Sequence, residues 1–155
     1  MTHGRFYLFF ILASANPTIA DDALDDAFER DVLIIEASLH ACYRFDVWLA
    51  VDRSQQLRGL MHVREMPQTS GMLFVYDTAD HHSMWMKNTY ISLDIAFARS
   101  DGSISNVVTG TEPLSLKSIS STDAVSYVLE LNAGVAERLS INEQSRLLWG
   151  PTITE

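Results

Sequence analysis

Three stretches of this 155-residue chain place apolar side chains at every second position. Phe45, Val47, Leu49 and Val51 alternate with Arg44, Asp46, Trp48 and Ala50; Ile91, Leu93, Ile95 and Phe97 bracket Asp94; Val125, Tyr127, Leu129 and Leu131 bracket Glu130. A period of two is that of a strand with one face in a core, because successive side chains leave a pleated backbone on opposite sides. Residues 32–35, 71–76, 84–87, 103–109 and 145–149 add shorter apolar or β-prone runs, and 77–82 reads as a turn. Arg99-Ser100-Asp101-Gly102 carries the Asp-Gly pair of a tight hairpin. Many short strands at regular spacing predict a mainly β chain, a single-domain β-sandwich or distorted barrel.

Two interruptions have helical chemistry. Asp52 or Ser54 caps a run through Gln55, Gln56, Leu57 and Arg58 that Gly59 stops, and Asn132 is placed to cap a second run ending near Leu139. Two short helices are expected.

The first residues have a different logic. Arg5 precedes an apolar run over 6–13, and Thr18-Ile19-Ala20 puts small residues before Asp21 in the order of a cleavable export signal. That run is about half of the ~20 residues a spanning helix needs, which argues against a permanent membrane anchor. The expected organisation is a signal peptide over 1–20, a solvated acidic leader over 21–31, one β domain over 32–150 and a tail over 151–155, exported to the periplasm or cell exterior.

Net charge is −9, and losing Arg5 with the signal makes it −10; the remaining Lys and Arg are scattered. Such a surface repels phosphate backbones and anionic headgroups, so nucleic acid is not expected as a partner. A hydrophobic fraction of 47% supplies a core and excludes disorder. Cys42, the single cysteine, cannot close an intrachain bridge.

The densest chemistry falls between residues 58 and 89. Arg58-Gly59-Leu60-Met61, Gly71-Met72-Leu73-Phe74 and Trp85-Met86-Lys87-Asn88-Thr89 are followed by Leu93-Asp94-Ile95, by Tyr127-Val128-Leu129-Glu130 and by Ala133-Gly134. These ordered blocks resemble the family called domain of unknown function 192, over roughly residues 34–147. The resemblance implies a single-domain β-sandwich with short helices, often behind a signal peptide; it implies no settled activity and transfers no catalytic residue. Where the family pattern closes with a Gly-Asp turn, this chain has Gln144-Ser145.

The residues themselves suggest a ligand-binding set: Arg58, Trp85, Lys87 and Asn88, with Asp94 and Glu130. Trp85 offers a flat apolar surface, while Lys87 and Asn88 offer donors for a small polar molecule. Each also has a structural use: Trp85 as core filler, Lys87 snorkelling from the interior, Asn88 holding its own loop. Two rival readings stand beside a binding or accessory domain. Asp94 and Glu130, if ~5 to 9 Å apart, could serve as the acid and base of an envelope-sugar hydrolase. Met61, Met66, Met72, Met84 and Met86 with His62, His81 and His82 could carry Cu(I). The chain lacks a Gly-rich phosphate loop, a His-Glu-x-x-His pair, a Gly-x-Ser-x-Gly elbow and a cysteine pair. No catalytic set, resident metal or cofactor is therefore expected.

Overall fold

A computed structural model describes residues 23–37 and 41–150. The expected signal peptide over 1–20, its expected cleavage point and the tail over 151–155 lie outside the described residues. The predicted runs contain or overlap eight strands, β1 (Glu29–Glu36), β2 (Cys42–Ala50), β3 (Ser70–Asp80), β4 (Ser83–Met84), β5 (Leu93–Ala98), β6 (Ile104–Val108), β8 (Val125–Asn132) and β9 (Arg146–Leu148), and a two-residue strand outside them is β7 (Ile119–Ser120). Helices α1 (Arg53–Arg58) and α2 (Val135–Leu139) interrupt them.

Seven strands form one sheet in the order β6-β5-β8-β3-β2-β1-β9, and β4 pairs with β7. Every neighbouring pair is antiparallel except β2 and β3, whose parallel run needs the long crossover that contains α1. The sheet curls until its two edges meet. Ser103 and Arg146 form an antiparallel bridge, and Leu147 N donates to Gly102 O at 2.8 Å. The result is a nearly closed barrel, the distorted form of the expected fold.

The hairpin at Asp101-Gly102 makes that closure possible. Gly102 has φ +83°, and a Cβ there would lie 2.1 Å from Leu147 O. Only glycine tolerates both the left-handed backbone and the approach of β9.

One sheet face draws side chains from all seven strands and fills the interior, with Leu33, Phe45, Val47, Leu73, Ala96, Ile104, Leu129 and Leu147 buried. The outer face of the four central strands is apolar too, through Trp48, Met72, Phe74, Ile95, Phe97 and Val128. It is covered by Leu24, Phe28, Leu60, Val63, Met66 and Met86 from segments outside the sheet. Strands buried on both sides read as continuous apolar runs, the reason β5 is buried at all six positions.

Several expectations need correction. The leader is only partly solvated: its described acidic side chains are exposed and residues 23–25 form a turn of helix, but Leu24 and Phe28 are 2% and 4% exposed, and β1 begins at Glu29. Trp48 Nε1 donates to Asp25 Oδ1 at 2.7 Å, and Gln55 Nε2 to Ala27 O at 3.0 Å, holding the segment down. Residues 77–80 extend β3 through a register shift instead of turning. β4 is two residues long, and Val51 is 52% exposed because β2 ends where Asp52 begins the cap of α1.

Asn132 does not cap α2. Its amide donates to Met66 O and Pro67 O, pinning the covering segment. At Gln144-Ser145 the corner is built from side chains: Asn142 N donates to Ser145 Oγ at 3.1 Å and Gln144 N to Asn142 Oδ1 at 2.9 Å. Ser145 O accepts from Ile104 N at 3.1 Å, so the serine also serves barrel closure.

Candidate functional site: a cleft over the outer sheet face

The outer layer leaves one strip of the sheet open, between α1 and the segment running from β4 toward β5. The strip is a cleft of about 430 Å³, within the usual range for small-molecule sites. Its floor is Phe74 and Tyr76 on β3 with Glu130 on β8. One wall is α1 and the turn after it, with Arg53, Leu57, Arg58 and Met61; the other is His82, Met84, Trp85 and Lys87.

The first wall follows from the capping box at the start of α1. Asp52 Oδ1 accepts from Gln55 N at 2.9 Å while Gln55 Oε1 takes Asp52 N at 3.2 Å, which fixes where a six-residue helix begins. Gly59 at φ +48° then ends it, and a Cβ there would sit 3.2 Å from Phe74 Cζ. Arg58 projects between the cleft and the leader: its Nη2 donates to Ala23 O at 3.0 Å and its guanidinium lies 5.2 Å from the Phe28 ring centre.

The second wall is stitched from strained backbone. His62, Asn88 and Leu114 have φ of +68°, +57° and +63°. His62 N donates to Asn88 O at 2.8 Å, Leu114 N to Thr89 O at 3.1 Å, and Met86 N to Ser115 O at 3.0 Å. Left-handed non-glycine residues persist where their surroundings over-determine them, and these three hold the loops behind the wall without lining the cleft themselves. Met86, fully buried, anchors the segment, while Trp85 remains 47% exposed with Lys87 Nζ 5.1 Å from its ring centre.

Glu130 is the unusual group on the floor. It is 4% exposed, its cross-strand neighbours are Met72 and Ile95, and no described side chain or backbone group hydrogen-bonds its carboxyl. Burial pushes its pKa from 4.5 to about 8, so it carries a proton at neutral pH. Burial also raises the Tyr76 hydroxyl to about 12, with the nearby Glu130 adding to the rise and Arg53 opposing it. Tyr76 stacks on His82, the rings 3.5 Å apart and 15° from parallel. His82 Nε2 is buried without a hydrogen-bond partner among the described residues, and burial lowers the pKa of this imidazole against an opposing pull from Asp80.

Of the six expected ligand residues, the fold brings Arg58, Trp85, Lys87 and Glu130 to the cleft. Asn88 is exposed and serves the loop: its backbone holds His62, and its Nδ2 lies 3.8 Å from Met61 Sδ. Asp94 is fully buried on the other side of the sheet. The register pairs Asp94 with Leu131 and Ile95 with Glu130, so Asp94 faces the barrel interior while Glu130 faces the outer layer. Asp94 Oδ1 accepts from Gly110 N and its Oδ2 from Ala136 N, both at 2.9 Å.

Two carboxyls on opposite faces of one sheet cannot flank a glycosidic bond, which removes the hydrolase reading. The methionine and histidine window also fails to form one ligand set. Met66, Met72 and Met86 are core residues, His62 contacts Tyr90, and only Met61, Met84 and His82 reach the cleft. Among the described residues, no cluster of three or more His, Cys, Asp or Glu is arranged to hold a metal ion. Sequence reasoning did not find Arg53 or Tyr76, because their place over Glu130 depends on the β3–β8 pairing and the crossover.

The family model for DUF192, described as an uncharacterised ACR, matches residues 34–149. The chain belongs to the DUF192 family. No curated protein matches this DUF192 chain. Among solved structures, it is 39% identical to a protein of Sinorhizobium meliloti 1021 described as a candidate transcription regulator, with a TM-score of 0.76 and coverage of 77% of this chain and 93% of that one. It is 28% identical to a protein of unknown function from Novosphingobium aromaticivorans, with a TM-score of 0.75 and coverage of 79% and 86%. DUF192 membership and the mainly β barrel thus agree with the resemblance read from the blocks.

Proposed function

We propose that this DUF192 domain is an exported binding module whose cleft takes a small polar ligand. The observation that carries this reading is the floor of the cleft walled by Arg58, Trp85 and Lys87, where the Glu130 carboxyl has no hydrogen-bond partner among the described residues. His82 Nε2 in the same cleft is buried and unpaired among the described residues, at a cost of about 1–3 kcal/mol that a hydrogen-bonding ligand can remove. One similar protein is described as a candidate transcription regulator; direct nucleic-acid binding by this chain fits poorly with its net charge of −9.

A fragment set of small polar molecules, screened by ligand-observed NMR against the full chain, tests the cleft. Hits are expected whose signals are lost in a Trp85→Ala/Lys87→Ala double variant that retains its melting temperature, since neither side chain is in the core. Hits indifferent to both substitutions would place binding elsewhere. Export is supported by the order of residues in 1–20. The expected N-terminus of protein recovered from a periplasmic extract is Asp21; an uncleaved chain confined to the cytoplasm would sink that half of the proposal.

A further inference from the structure

The ionisable side chains lining the cleft are unbalanced. Arg53, Arg58 and Lys87 are cations, Glu130 is the sole acid, and Tyr76 and His82 complete the set, in a chain whose net charge is −9. Glu130 forms no salt bridge with any of the three cations. Two of these are held by other groups: Arg58 by Ala23 O and the Phe28 ring, and Lys87 by the Trp85 ring. The floor therefore presents an O–H from Glu130 beneath a cationic rim, the Tyr76 hydroxyl being turned to Met84 Sδ at 4.0 Å. Leu57, 53% exposed, and Trp85 add flat apolar surface beside that donor.

We infer that the cleft is built for a small carboxylate with an apolar body, its oxygens taking a hydrogen bond from Glu130 under the field of the three cations and its body lying on Trp85. The inference deepens the binding-module reading and rests on it. An organic cation would meet like charge and no ionised acid. A strongly hydrated anion such as inorganic phosphate would gain nothing from Trp85 and Leu57. A neutral analogue would forgo the rim charges.

The pairing is sensitive to pH. Glu130 can donate only while protonated, and its pKa is about 8. The other titratable groups facing it are Tyr76, raised to about 12, and His82, lowered from 6.5 by burial with Asp80 opposing; neither changes charge between pH 7 and 9. Arg53, Arg58 and Lys87 complete the surrounding charges. Carboxylate affinity should fall about tenfold per pH unit above ~8, because the ionised acid loses its donor and repels the ligand.

Isothermal titration calorimetry of the full chain with 2-naphthoate, 2-naphthamide and inorganic phosphate, from pH 6.5 to 9.5, tests this. The expected result is that 2-naphthoate binds at least tenfold more tightly than the amide, phosphate gives no heat, and the naphthoate affinity falls above pH 8. Glu130→Gln keeps the shape and an N–H donor, so it should bind naphthoate at pH 7 within about threefold of the parent, without the alkaline loss. Equal binding of amide and carboxylate, preference for phosphate, or an alkaline loss shared by the glutamine variant overturns the inference. Fragments that bind in a Trp85- and Lys87-dependent way without preferring carboxylates would defeat it while leaving the binding-module reading intact; absence of naphthoate binding at every pH defeats it as well.

Discussion

Replacing Glu130 with glutamine raises the melting temperature at pH 8 and flattens its dependence on pH. The folded acid holds its proton up to about pH 8, whereas its ordinary value is 4.5. Between those values the folded chain binds a proton that the unfolded chain has released, so stability falls as pH rises. The slope is about 1.4 kcal/mol per pH unit and flattens above the folded pKa. Across the window the loss is on the order of 5 kcal/mol, or roughly 4 °C of midpoint per pH unit for a domain of this size. His82 works in the other direction, because its lowered pKa makes stability rise with pH toward 6.5. That contribution is common to both proteins, and their difference isolates Glu130. Calorimetric scans from pH 5 to 9 check the prediction; parallel curves for parent and variant would mean that the Glu130 carboxyl is not held neutral by the fold.

The second large effect belongs to Asp94. Alanine there removes the acceptor for Gly110 N and Ala136 N, leaving the Ala136 donor without a partner in a buried setting and the donor of the exposed Gly110 to solvent. The orphaned buried donor costs about 1–3 kcal/mol and the lost Gly110 bond about 1 kcal/mol, so Asp94→Ala should lose on the order of 2–4 kcal/mol and roughly 6–15 °C in melting temperature. Asp94→Asn, which keeps one acceptor oxygen, should fall between. Thermal melts of the three proteins decide the matter. A D94A protein with an unchanged midpoint and impaired ligand binding would return Asp94 to the site.

The contrast between these acids shows how far sequence reading reached. Both sit in the middle of alternating runs opposite an apolar set, and the alternation itself is correct in β5 and β8. Alternation says that neighbours point apart, but not which side is the barrel interior. Pairing Ile95 with Glu130 and Asp94 with Leu131 sends one acid to the cleft and the other to the interior. The leader was misread for a related reason. Six acidic residues over 21–31 suggest a solvated segment, yet Leu24 and Phe28 cover an outer sheet face whose exposure could not be foreseen from their own neighbourhood.

Trp85 and Lys87 were legible because their chemistry is local. They lie two residues apart, and they end on the same side although β4 stops at Met84. Arg53 and Tyr76 were not legible, being brought to Glu130 by a parallel crossover and a β3–β8 pairing that join distant residues.

Local chemistry, then, determined the strands, the capping box of α1, the hairpin at Asp101-Gly102 and the family blocks, since each depends on residues within a few positions of one another. Only the tertiary structure decided the closure of the sheet through Gly102 and Leu147, the donor that Asp94 satisfies on α2 at Ala136, 42 residues away in the chain, and the isolation of Glu130 beneath a cationic rim. The physical reason is that burial and charge depend on what packs against a side chain, and here those neighbours come from separate strands and loops.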